Sequence, residues 1–158
     1  MYNGSSIIGN IRTAQFADWD GGGIRVASGN FEMNGGTISG NRAHFGGGLV
    51  IRSGGTFTQT GGTISSNTAW GGGGVHLWGG TFTMRNGTIS GNTANWGGAM
   101  HMHEGTFIMR GGTITGNTAS ETGGGIHVNP GTIFEKTGGT ITGYNSDQNN
   151  GRATGNWD

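Results

Sequence analysis

The phrase GGTISGNTA recurs along this chain, and that recurrence restricts the possible folds more than any other feature. It reads Gly35-Gly36-Thr37-Ile38-Ser39-Gly40-Asn41 at its first full appearance and returns, slightly changed, around Ile64, Ile89, Ile114 and Ile141. A degenerate copy, Ser6-Ile7-Ile8-Gly9-Asn10, opens the sequence. From Ile7 to Ile141 the steps are 31, 26, 25, 25 and 27 residues. Phe31, Phe57, Phe82, Phe107 and Phe134 keep the same register, and so does a glycine run entered at Gly21, Gly46, Gly71, Gly97 and Gly123. A fixed period of this size means one structural unit stacked on copies of itself.

Each unit holds three short strand signals divided by turn signals. In the unit that starts at Gly71 they are Val75-His76-Leu77-Trp78, then Thr81-Phe82-Thr83-Met84 after Gly79-Gly80, then Thr88-Ile89-Ser90 after Asn86-Gly87. Side chains alternate along a strand, so Val75, Leu77, Phe82 and Ile89 should point inward, and His76, Thr81, Thr83, Thr88 and Ser90 outward. No segment has helical periodicity. Three short strands repeated in register predict an all-β fold, a right-handed parallel β-helix (a solenoid) of about five and a half coils with three short strands per coil. With coils about 4.8 Å apart the rod is about 26 Å long. Residues 1–158 form one repeat domain on this expectation, a fragment of a longer array. Its core is four ladders: Ile24/Leu49/Val75/Met100/Ile126, Val26/Ile51/Leu77/Met102/Val128, the phenylalanines and the isoleucines. Asn41, Asn67, Asn92 and Asn117 share a corner where stacked amides can bond from coil to coil.

Composition narrows the function. Glycine accounts for 39 residues and only 30% are hydrophobic, which without a period would read as low complexity. Eight basic residues balance eight acidic ones, so no basic stripe exists to neutralise phosphates and nucleic acid is not an expected partner. Cysteine is absent, which excludes disulfides and thiolate chemistry. No apolar run approaches the length of a membrane span. Tyr-Asn-Gly-Ser-Ser after Met1 does not read as a signal peptide.

Gly97-Gly98-Ala99-Met100 and Phe31-Glu32-Met33-Asn34 resemble the GGAI and FxxN signatures of chlamydial polymorphic outer-membrane proteins. The fuller pattern of glycine run, Phe-centred strand and GGTISGNTA is similar to repeats in large surface proteins of gut bacteria and spirochaetes. The resemblance covers nearly the whole chain. It implies the β-helix fold and an extracellular or cell-surface location. Thr60, Arg85, Arg110 and Thr137 occupy the FxxN asparagine position in the other coils, so no adhesin site is carried over.

Three constellations are candidate sites. His76, His101 and His127 share the outward position of the first strand with Arg25 and Val50, and His103 follows on the same face as His101. Neutral imidazoles so placed suit a surface metal site, with Glu104 nearby; the bland alternative is an exposed polar ladder. Thr37/Ser39, Thr63/Ser65, Thr88/Ser90, Thr113/Thr115 and Thr140/Thr142 give two outward hydroxyl columns. Such arrays resemble the faces of ice-binding β-solenoids, though threonine also simply suits a pleated surface. Trp19, Phe45, Trp70, Trp96 and Trp157 flank the glycine runs, and Trp78 lies on the histidine face. Trp70, Trp78 and Trp96 are candidates for a sugar-stacking platform; otherwise such rings cover glycines of the next coil.

Catalysis finds no constellation. Asp18 and Asp20 lie in the turn 11–20, and Glu32 and Glu135 share a column about 19 Å apart by coil rise, too far for paired carboxylates. Asn145-Ser146-Asp147-Gln148-Asn149 has too few acids for a calcium loop. The expected function is therefore a rigid stalk, adhesive or assembly element with no cofactor. Its partners would be flanking repeats or itself, end to end. The rival is a binding module for ice or glycan, and a polysaccharide-active enzyme fragment comes third.

Overall fold

The computed structural model describes residues 4–10 and 20–145, the last three through their backbone alone. Trp19, Trp157, Asp18, Asp147 and Asp158 lie outside the described residues, as does the tail beyond Asn145. The described chain is a parallel β-solenoid of about five turns, with no helix among the described residues.

Strand β1 (Ser6–Ile8) belongs to the first, partial coil. Strands β2 (Ile24–Val26), β3 (Gly29–Met33) and β4 (Thr37–Ser39) make the next, and β5 (Leu49–Arg52), β6 (Gly55–Gln59) and β7 (Thr63–Ser65) the one above. Then come β8 (Val75–Met84), β9 (Thr88–Ser90) and β10 (Thr93–Trp96), followed by β11 (Met100–Met109) and β12 (Thr113–Thr122). Strands β13 (Ile126–Val128), β14 (Ile133–Lys136) and β15 (Thr140–Asn145) complete the last described coil. Every strand pairs in parallel with its equivalent one coil away, isoleucine on isoleucine and phenylalanine on phenylalanine.

Three separate strands per coil hold only in part. In β8 and β11 the first and second strands run together over ten residues each. The reason is the length of the connection. Leu77 to Phe82 and Met102 to Phe107 are five residues apart in both neighbours, so pairing continues through the bend. Ile51 to Phe57 takes six, and the spare residue breaks β5 from β6. A fourth in-register row was not expected. Arg42, Thr68, Thr93 and Thr118 pair in succession, as do Asp20, Phe45, Gly71, Trp96 and Thr122.

The core follows the alternation. Ile38, Ile64, Ile89 and Ile114 are fully enclosed, and so are Phe57, Phe82 and Phe107. Each such side chain stabilises the fold by about 1.5–3 kcal/mol. Between them runs a fifth core column, Met33, Gln59, Met84 and Met109, all buried. The corner asparagines form the expected ladder. Asn41, Asn67 and Asn92 each donate from Nδ2 and from the backbone N–H to Oδ1 of the asparagine one coil on, at 2.9–3.0 Å. Each Nδ2 donates a second bond, to the carbonyl of Ile7, Ile38 or Ile64. Asn10 begins the ladder, and Gly143 stands opposite Asn117 where it stops.

The glycine runs do two jobs. Gly46, Gly72, Gly97 and Gly123 have φ of +61 to +68°, which a side chain resists. Their structural equivalence shows that the third coil enters its run at Gly72, not Gly71. That coil has four glycines where the others have three, or two and Ala99. The surplus Gly71 takes the ladder place held by Phe45 and Trp96 in the adjoining coils. Trp70 is pushed one place outward and is 38% exposed. The middle of each run needs glycine for space: a Cβ on Gly73 would lie 2.5 Å from the Gly98 carbonyl oxygen and 2.6 Å from that of Thr93.

Candidate functional site

The histidines leave the core side of their strands, as alternation requires, yet His76 and His101 do not reach solvent and His103 and His127 are half-buried. His76 is fully buried, His101 is 4% exposed, and Val50 in the same column is also closed off. The expected surface site on His76, His101, His103 and His127, or exposed polar ladder, is therefore covered over at His76 and His101 and half-buried at His103 and His127. The cause lies in the fourth row. Side-chain-free glycine lets the chain fold close over the first strands, and Phe45 and Trp96 on that row cover them, with Trp70 packed on both from outside. A Cβ on Gly71 would meet His101 Nδ1 at 2.9 Å and the Phe45 ring at 3.0 Å, so the absent side chain is the space these rings occupy.

The result is a second, aromatic layer outside the aliphatic core. His76 packs against Phe45 and His101, each with ring centroids 4.8 Å away, and against Trp78 at 5.3 Å. His101 continues to His127 at 4.9 Å, edge to face. His103 lies 6.2 Å from His76 and 6.1 Å from His101.

Hydrogen bonding thins toward the middle of this layer. At its edge His127 Nδ1 shares a 2.7 Å bond with the Thr122 hydroxyl. His101 Nε2 lies 3.3 Å from Asn129 Oδ1, while its Nδ1 is buried without a partner. Neither ring nitrogen of His76 completes a hydrogen bond, and Nδ1 of His103 is likewise buried and unpaired. Burial holds His76 well below the usual histidine range, reinforced by His101 and His103; the Gly71 carbonyl opposes this only in part, and Arg52 adds to it. Burial, with the charge of His127, lowers His101 to about 4, against the opposing bond to Asn129. Burial also lowers His127 and His44. These imidazoles are neutral at neutral pH.

Neutral, unpaired imidazoles are the donor type metals take. Among the described residues, however, no group of three or more His, Cys, Asp or Glu is arranged to hold a metal ion. The four histidines are packed against one another as rings.

The tryptophans are packed in the same way. Trp78 has His103 stacked on it at 4.6 Å and the Arg52 guanidinium carbon 4.8 Å from its ring centroid. Trp70 is stacked on His44 at 5.1 Å and meets Trp96 at 4.1 Å. The Trp96 indole N–H donates to the Glu121 carboxylate. The rings of Trp70, Trp78 and Trp96 are thus packed largely against one another and their histidine, arginine and glutamate neighbours. Sequence reasoning missed the ion pair of buried Asp20 with half-buried Arg52, which ties the coil of β2–β4 to that of β5–β7. Nothing in the repeat marks it, since neither residue recurs.

The hydroxyl columns stand as expected. Thr37, Thr63, Thr88, Thr113 and Thr140 are paired in register, as are Ser39, Ser65, Ser90 and Thr115. Thr142 extends the second column, donating to the Thr115 hydroxyl at 2.9 Å. The members from Thr37 to Thr115 are half-buried beside fully buried isoleucines. A left-handed corner follows at Gly40, Ser66, Gly91 and Gly116.

The architecture defines the class, a parallel β-solenoid whose first strands carry an aromatic outer layer. A scan against protein-family models finds no match for this chain, and searches of curated proteins and of solved structures find none either.

Proposed function

We propose that this chain is a structural segment of a bacterial surface or secreted protein, a rigid stalk or adhesive element. In this reading its coils continue end to end, through flanking repeats or through a second copy of itself. The observation that carries the reading is how burial changes along each ladder. Phe57, Phe82 and Phe107 are closed, whereas Phe31 and Phe134 at either end are only partly covered, as are Ile7, Val128 and Ile141. Ile8 and Ile133 are exposed, but they stand in the outward columns of Ser39 and Thr106 and are no part of this interior. A solenoid covers its interior only where another coil lies on it. Among the described residues β1, β13, β14 and β15 each have a strand partner on one side only, and such edges recruit further strands. Joining unlike ends does not close into a ring, so the product is a filament. The resemblance to polymorphic outer-membrane protein repeats supports the surface location. Electron microscopy and light scattering at rising concentration test the reading. Filaments one coil wide are expected, and Ile7→Lys with Ile141→Lys, at the partly covered interior positions of the two ends, should shorten them. A strict monomer at high concentration would overturn self-assembly.

The hydroxyl face supports a second reading, a binding module for ice or glycan. The observation in its favour is the register of nine Thr and Ser side chains from Thr37 to Thr140, which shifts only after Ile114, with Thr142 joined to Thr115 by a hydroxyl bond. Thermal hysteresis and a glycan array test it, with Thr88→Tyr as the variant that should abolish either activity. No signal in both assays removes this reading.

A further inference from the structure

The buried imidazoles have a consequence that neither a stalk nor a hydroxyl face requires. We infer that the histidine and aromatic layer is an acid-released fastening: at mildly acidic pH it opens the segment carrying Phe45, Trp70 and Trp96, while the coil ladders beneath stay paired.

Geometry carries this. His76 is enclosed with both ring nitrogens unpaired, and His101 and His103 each bury an unpaired Nδ1 beside it. A proton on His76 or His101 places a charge in an enclosure where the Gly71 carbonyl and Asn129 Oδ1 offset only part of the cost, and a second proton sets two cations in contact. The charged groups around the cluster make matters worse. Arg52 approaches from β5, His101 and His103 from β11, His127 from β13 and His44 from the covering segment. Arg25 is the column member on β2, in register with Val50. The nearby carboxylates are otherwise placed: Asp20 is paired with Arg52, Glu121 holds the Trp96 indole, and Glu104 on β11 faces solvent. No described carboxylate is left to hold an imidazolium inside.

The sign of the effect follows. The unfolded or opened histidine binds a proton near pH 6.5, whereas the closed one resists until about 4 for His101 and lower than usual for His76. The opened state binds more protons, so closure weakens as pH falls through that window and is fully present above it. The coil ladders are built of isoleucine, phenylalanine and asparagine, none of which titrates there, so they hold.

The same column supplies a clean variant. Val50 already occupies the position of His76 and His101, fully buried, so His76→Val with His101→Val should fold. The native chain, taken from pH 7.5 to 4.5, should lose its near-ultraviolet aromatic circular dichroism and shift its tryptophan emission to the red, with far-ultraviolet strand signal kept. The double valine variant should keep both aromatic signals over the same range. An unchanged aromatic signal in the native chain at pH 4.5, or the same transition in the variant, would overturn the inference. Should the variant fail to fold, imidazole NMR of the native chain decides. The inference requires two histidines that stay neutral well below pH 6.5 and then change together with the tryptophan signals. Independent titration near pH 6.5 with those signals intact refutes it.

Discussion

Ile89 and Ser90 are adjacent, and one faces the sealed interior while the other stands in a half-exposed hydroxyl column. Ile89→Asp leaves a buried charge with no partner and should destabilise the fold by about 4 kcal/mol or more, whereas Ser90→Asp should cost within about 1 kcal/mol. Thermal or urea melts of the two variants check this; equal melts would mean the inward and outward faces are wrongly assigned. Asn92 bears four bonds: its Nδ2 donates to the Ile64 carbonyl and to Asn117 Oδ1, and its Oδ1 accepts from Asn67 twice. Asn92→Ala should therefore cost about 3–4 kcal/mol at about 1 kcal/mol per bond, and Asn10→Ala, at the exposed start of the ladder, about 1 kcal/mol or less. Both the inward residues and this amide ladder were legible in the sequence, because period and alternation place them directly. The burial of His76 was not. Alternation says which face of a strand a residue leaves by, and says nothing of what lies over that face.

Strands and turns show the same division. The three strand signals per coil were legible from Phe82, Ile89 and the glycine pairs between them. The fourth row was hidden, since Thr93-Ala94-Asn95-Trp96 reads as a loop between two turn signals. One inserted glycine in the run 71–74 hid the true equivalence of Gly72 with Gly46, because four identical residues offer no landmark. The structure separates the roles within such a run, and substitution should too. Gly73→Ala drives a Cβ between two backbone carbonyls that cannot shift, at about 3 kcal/mol or more. Gly74→Ala stands at the column position that Ala99 fills one coil on, with one close backbone contact, 2.7 Å to the Ala99 carbonyl oxygen, in place of two, and should cost less, about 2 kcal/mol. Urea midpoints of the two variants check the order; the reverse order would place the tight contact at the wrong glycine.

At the scale of the molecule everything rests on one claim, that coils stack in register at a constant rise. Surface location, end-to-end growth and acid release all presuppose it. The threonine column offers fixed points along the stack: Ser6, Thr37, Thr63, Thr88, Thr113 and Thr140 face one another in turn. Spin labels on Cys variants of these positions allow the rise to be measured by pulsed electron paramagnetic resonance on labelled chain diluted with unlabelled. Labels at Thr37 and Thr140, four coils apart, should give a narrow distribution near ~19 Å, and labels at Ser6 and Thr140, five coils apart, one near ~24 Å, at about 4.8 Å per coil. Broad distributions, or two pairs that do not differ by about one coil rise, would contradict the stacked solenoid.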